Sequence, residues 1–251
     1  MKLGAILFGS LITNVLLIAS GHSASNHWGY TGHSSPSNWG DLSEKYKMCK
    51  LGSSQSPINI SYENTIETRG LNKINFHYNS ESSSVVNNGH TIQVNVKNGS
   101  SIHIDGINFE LKQFHFHTPS ENEINGKSFP LEAHFVHVSH DGKIAVVAVL
   151  FEYGRYNYTI GKIWNKMPYR AGKSEHLTLS DSHIRLLLPR DKSYYRFNGS
   201  LTTPPCSEGV RWFVFKKYMK VSETQVEEFL SIMHHENNRP VQPINARKVM
   251  Q

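Results

Sequence analysis

The sequence predicts a mainly β, single-domain protein with peripheral helices. Three observations point there. Residues 85–96 (VVNNGHTIQVNV), 113–117 (QFHFH) and 131–138 (LEAHFVHV) alternate apolar and polar side chains with the two-residue period of a strand. Residues 144–151 (IAVVAVLF) and 210–215 (VRWFVF) are apolar on both faces, the pattern of strands buried in the middle of a sheet. One segment carries a full helix signature. Ser222, Glu223, Thr224 and Gln225 form a capping box ahead of Val226, Phe229, Leu230 and Met233 at helical spacing.

Taken from its start, the chain opens on Met1 and Lys2, followed by an apolar run over residues 3–20 and small residues after it. This is the build of a secretory signal peptide, expected over residues 1–24, which leaves residues 25–251 as one domain. The competing reading is an uncleaved anchor. Gly9, Ser10, Thr13 and Asn14 interrupt the run, and it falls short of the roughly 20 apolar residues a span needs. With 251 residues, 38% hydrophobic and 18% charged, the composition is that of a globular domain and excludes a disordered chain. The formal charge of +6 is spread thinly, with no Lys/Arg run that would make a nucleic-acid surface. Export changes the reading of the two cysteines. Cys49 and Cys206 would be buried free thiols in a reducing compartment, whereas in an oxidising one they are expected to bridge.

In the segment 113–117, alternation puts Gln113, His115 and His117 on one face and Phe114 and Phe116 on the other. In 131–138, Glu132, His134 and Val136 share a face, and His137 takes the opposite one. Three neutral imidazoles suit Zn²⁺, and three protein ligands with an open fourth position are the arrangement of a catalytic zinc; a structural site usually closes with cysteines. Taken alone, His-x-His is an expected coincidence in a chain with 15 histidines. Its neighbours strengthen it. Gln113 and Glu132 each lie two residues from a histidine on the same face, placed to hydrogen-bond the nitrogen turned away from a metal. Ordinary strand surface is the alternative for both, but a carboxylate between Leu131 and Ala133 needs a partner.

These residues belong to a series that resembles the α-carbonic anhydrases from residue 27 to about residue 247. The segments occur in order: HWGY (27–30), QSPINI (55–60), NNGH (87–90), QFHFH (113–117), EAH (132–134), GSLTTPPC (199–206) and RPVQP (239–243). The short insertions and the cysteine pair are more similar to the exported bacterial members than to the vertebrate cytosolic ones. The resemblance implies a central, twisted, mostly antiparallel sheet with zinc at the bottom of a cone-shaped cleft. It implies reversible hydration of CO2 to bicarbonate and a proton by a zinc-bound hydroxide. It also implies a periplasmic or secreted protein without a membrane span after cleavage, for which a homodimer is one assembly seen among relatives.

Residue by residue, the resemblance implies His115, His117 and His134 as zinc ligands and Thr202 as the residue that orients the hydroxide. Glu121 would hold Thr202, because an ionised carboxylate only accepts hydrogen bonds. Val136, Val146, Leu201 and Trp212 would line an apolar pocket for CO2, Thr203 would contact bicarbonate, and Asn88 and Gln93 would form a polar wall. His90 corresponds to the proton shuttle, an imidazole near the cavity mouth with a pKa near neutrality. Without the resemblance, Thr202 reads as a turn residue before Pro204, and the four apolar residues read as plain core. Pro57 and Pro205 fall where the family has cis peptides. One departure is Asn122, which follows Glu121 where the family usually has histidine; a change in local packing outside the metal shell is expected. A catalytically silent relative would have lost ligand histidines, and none is missing. His235-Glu236 invites the helical zinc-peptidase motif, but Arg239 stands where that motif needs its second histidine.

Overall fold

The strand periods of the sequence materialise in the computed structural model, which describes residues 27–251; the leader expected over residues 1–24 lies outside the described residues. The strands are β1 (Asn59–Ile60), β2 (Thr65–Ile66), β3 (Asn75–His77), β4 (Ser82–Asn87), β5 (Ile92–Val96), β6 (Ser101–Ile104), β7 (Ile107–His117), β8 (Glu123–Ile124), β9 (Leu131–Ser139), β10 (Ile144–Tyr153), β11 (Lys173–His176), β12 (Tyr194–Ser200), β13 (Glu208–Phe215), β14 (Met219–Val221) and β15 (Val249–Met250). The helices are short: α1 (Trp39–Leu42), α2 (Met48–Leu51), α3 (Tyr158–Trp164), α4 (Asp181–Leu186) and α5 (Glu223–Met233). Among the described residues no helix is long and apolar enough to cross a membrane.

One sheet dominates, with the path β11-β4-β5-β7-β9-β10-β13-β12-β15-β2. Its middle is antiparallel from β4 to β10, and β13 then joins β10 in parallel, so the sheet is mixed as well as mostly antiparallel. The runs that are apolar on both faces became β10 and β13, adjacent strands at the centre. Residues 85–96, by contrast, are two strands rather than one. The chain reverses at Asn88 and Gly89, whose φ is +87°, and Asn88 Oδ1 accepts from the main-chain N–H groups of His90 and Thr91. The two-residue period runs through the reversal because both arms of the hairpin bury the same face.

On the back of the sheet Phe114, Phe116 and Phe135 are fully buried beneath α3 and α5; Phe116 meets Trp164 at 4.8 Å between ring centroids, and Trp164 meets Phe229 at 5.4 Å. Each buried phenylalanine contributes roughly 1.5–3 kcal/mol. Helix α5 starts on the expected capping box, with Ser222 and Gln225 each bonding the other's main chain. It stops at His234 in the left-handed conformation, φ +63°, a position more often given to glycine. Cis peptides precede Pro57 and Pro205 as expected, and a third precedes Pro119.

Candidate metal centre and cleft

Register assembles the front of the sheet into rows. His117 faces Glu132 across β7 and β9. In the next row Gln93, His115, His134 and Ala148 stand side by side on β5, β7, β9 and β10. The row beyond holds Gln113, Val136, Val146 and Trp212. Residues directly opposite in neighbouring strands point the same way, so two strands bring three imidazoles together without help from any loop.

Hydrogen bonding fixes which nitrogen of each ring is free. Gln113 Oε1 lies 2.8 Å from His115 Nδ1, and the main-chain oxygen of Asn237 lies 2.7 Å from His117 Nδ1. Glu132 Oε1 lies 3.0 Å from His134 Nε2. The Gln113 and Asn237 oxygens accept, so Nδ1 of His115 and Nδ1 of His117 carry the proton. Glu132 faces His134 Nε2 at ion-pair distance, outside hydrogen-bond geometry, and its charge favours the proton there, so that lone pairs remain on Nε2 of His115, Nε2 of His117 and Nδ1 of His134. Ligand atoms of the three residues lie within 4.8 Å of one another. Burial first, and then the neighbouring imidazoles, hold His115 and His134 well below the usual histidine pKa; burial also lowers His117 against the bond to Asn237. The rings are therefore neutral, as ligands must be. His117 Nε2 is buried without a hydrogen-bond partner in the protein. Three converging lone pairs, one of them orphaned, fit a divalent metal such as zinc.

Gln113 and Glu132 thus stand beside His115 and His134, and two further residues join them. Glu132 is fully buried and accepts from the main-chain N–H groups of Glu121 (2.7 Å) and Asn122 (2.8 Å) and from Asn122 Nδ2 (2.7 Å). Asn122 thus does more than fill space outside the metal shell: it grips the carboxylate that faces His134. Asn237, which the sequence did not single out, holds His117 through its main-chain oxygen and donates from Nδ2 to the carbonyls of His90 and Phe116. A main-chain oxygen is supplied by any residue, so no side-chain pattern could have found it.

Glu121 is buried, and its Oε1 accepts from the main-chain N–H of Arg239 at 2.9 Å. Burial pushes its pKa well up; Thr202 and the Arg239 N–H pull against that. Thr202 stands near enough to favour the carboxylate, yet falls outside strict hydrogen-bond geometry, and Glu121 Oε2 has no such bond. Thr202 and Thr203 belong to a loop fastened by the disulfide between Cys49 and Cys206, with Cα atoms 5.0 Å apart. Arg239, also unforeseen as a site residue, ties this region together by donating to Gln55 Oε1, Ser56 O and Cys49 O.

Beside His134, Val146 and Trp212 are buried and Val136 and Leu201 pack against them in one apolar cluster; the Trp212 and His134 rings are 4.9 Å apart. Gln93 donates to Asn95 Oδ1 at 2.7 Å, and Asn88 is an exposed turn residue. His90 departs from expectation. Its ring stacks on Trp28 at 3.7 Å and on His27 at 5.3 Å. Burial, then His27 and His235, lower its pKa to about 4, well short of neutrality.

The family model for eukaryotic-type carbonic anhydrases matches residues 34–251. A carbonic anhydrase of Neisseria gonorrhoeae is 47% identical over 247 residues, covering 96% of each chain. One from Pectobacterium carotovorum is 44% identical over 241 residues, covering 96% of this chain and 97% of its own. Among solved structures, the α-carbonic anhydrase of Thermovibrio ammonificans, in complex with the inhibitor sulfanilamide, superposes with a TM-score of 0.87 at 50% identity, covering 90% of this chain and 99% of that one. Fold, site geometry and these likenesses agree: the chain belongs to the eukaryotic-type, or α, carbonic anhydrase family of enzymes, whose general reaction is the hydration of CO2.

Proposed function

We propose that the chain hydrates CO2 reversibly to bicarbonate and a proton with a zinc ion held by His115, His117 and His134. The observation that carries this is the convergence of three imidazoles whose outward nitrogens face Gln113, the Asn237 carbonyl and the Glu132 carboxylate. When bound, zinc supplies Lewis acidity that makes a water molecule nucleophilic at neutral pH, a behaviour for which carbonic anhydrase is itself the reference case.

The protein's own groups do the rest. Glu121, once ionised, would accept from Thr202 Oγ1 as that hydroxyl closes on Oε2; the hydroxyl would then keep a lone pair that can only receive a hydrogen bond from the cleft and would orient the nucleophile by that constraint. Val136, Val146, Leu201 and Trp212 offer CO2 an apolar wall, which suits an uncharged guest. Thr203 meets the bicarbonate product, and Asn88 and Gln93 form the polar side of the cleft. His90 takes the released proton toward solvent, swinging off Trp28 to do so, because a stacked ring with a pKa of about 4 holds a proton poorly at pH 7.

The apolar leader and the Cys49–Cys206 disulfide support a periplasmic or secreted protein. Stopped-flow CO2 hydration by residues 25–251, with metal analysis and a zinc chelator, tests the reading. Fast hydration that disappears on zinc removal and returns with zinc is expected. A folded, zinc-loaded protein that does not hydrate CO2 would overturn it.

A further inference from the structure

The segment after α5 touches the cleft at every second residue. Arg239 bonds Glu121, Asn237 bonds His117 and the main chain of His90, and His235 packs on Tyr30 with ring centroids 5.8 Å apart. Tyr30 leads inward and outward. Its hydroxyl is buried, has no protein hydrogen-bond partner and lies close enough to Glu121 to feel its charge. Its ring also adjoins Trp28, on which His90 is stacked. His235 is half-buried, so one side of it reaches solvent.

Its protonation pattern is set by a local bond. His235 Nδ1 lies 2.8 Å from the carbonyl oxygen of Glu236, which can only accept, so the neutral ring carries its proton on Nδ1 and keeps Nε2 as a base. His90 has a different constraint, being held face to face with Trp28 and alongside His27. Two imidazoles from separate loops therefore lie close enough for His235 to weaken proton binding at His90, and only one of them is sandwiched. We infer that His235 is a second proton-transfer residue, carrying the proton released in CO2 hydration to external buffer in parallel with His90. The inference rests on the proposed CO2-hydrating function. The proton from CO2 + H2O → HCO3⁻ + H⁺ adds to Nε2 of His235, giving an imidazolium, and passes to a buffer base, which restores the neutral ring.

The test compares the zinc-loaded parent with His235→Ala, His90→Ala and the double variant, measuring kcat and kcat/KM for CO2 hydration in weak buffer, then with added imidazole. Proton export limits kcat but not kcat/KM. His235→Ala should lower kcat in weak buffer about threefold to tenfold, below the full range for a lone acid–base group because His90 still works. It should leave kcat/KM and the unfolding midpoint unchanged, and imidazole should restore kcat. The double variant should fall further than His90→Ala. Equal kcat for parent and His235→Ala in weak buffer, with the double variant no slower than His90→Ala, would overturn the relay while leaving the enzyme reading intact. A parent that fails to hydrate CO2 would remove both.

Discussion

His134 and His137 stand three residues apart on β9 and point to opposite faces of the sheet. Both are buried, and burial depresses both imidazoles. On the front, His134 turns one nitrogen to the Glu132 carboxylate, 3.0 Å away, and leaves the other facing His115 and His117. On the back, His137 spends both: Nε2 meets the Tyr78 hydroxyl at 2.8 Å and Nδ1 meets Ala145 O at 3.3 Å. The difference is in what is left over. A buried histidine becomes a ligand when its partners leave a lone pair aimed at other lone pairs, and it becomes a core residue when they do not.

Substitution breaks this comparison most sharply on the front. His134→Ala removes one of the three proposed ligands, and CO2 hydration should fall by on the order of a thousandfold or more with loss of bound zinc. His137→Gln should keep one zinc per chain, and a zinc-free His137 variant would undo the contrast between the faces. Thr202→Val comes next. It removes a hydroxyl but no ligand, so metal content should hold while kcat/KM drops by roughly a hundredfold; an unchanged kcat/KM would mean that Thr202 orients nothing. Asn122→Ala acts one step further out, through Glu132 to His134, and should weaken zinc retention about tenfold in competition with a chelator.

That ordering also separates what the sequence could tell from what it could not. The period of two displayed His115, His117, Gln113, His134 and Glu132, because strand residues keep their faces whatever the loops do. The same period could not pair β7 with β9, since register depends on long-range packing and on the bulge near Leu111 and Gln113. Loop residues carry no period. Thr202, Glu121 and His90 entered only through resemblance, and Asn237 and Arg239 only through the structure, because the bonds that tie them to His117 and Glu121 run through main-chain atoms. Asn122 was visible as a departure, but its two bonds to Glu132 were not.

The back face supplies the smallest effect and the one that isolates burial from ligation. In the folded chain His137 is depressed to about 3, by burial first, against an ordinary value of 6.5. The unfolded chain therefore takes up a proton as pH falls through about 6.5, while the folded chain does not until about 3. Between those values the unfolded state binds more protons, so stability falls as pH falls. From pH 6.5 to 5.5 this one group should cost about 1 kcal/mol. Glutamine cannot titrate, so His137→Gln should be less stable overall for losing its fit to Tyr78 and Ala145, yet shallower in its dependence on pH across that window. Urea unfolding of the zinc-loaded proteins at both pH values reads the difference in slope. Because the three front histidines are common to parent and variant, parallel slopes would mean that His137 titrates alike in the folded and unfolded chains, and that its burial does not depress it.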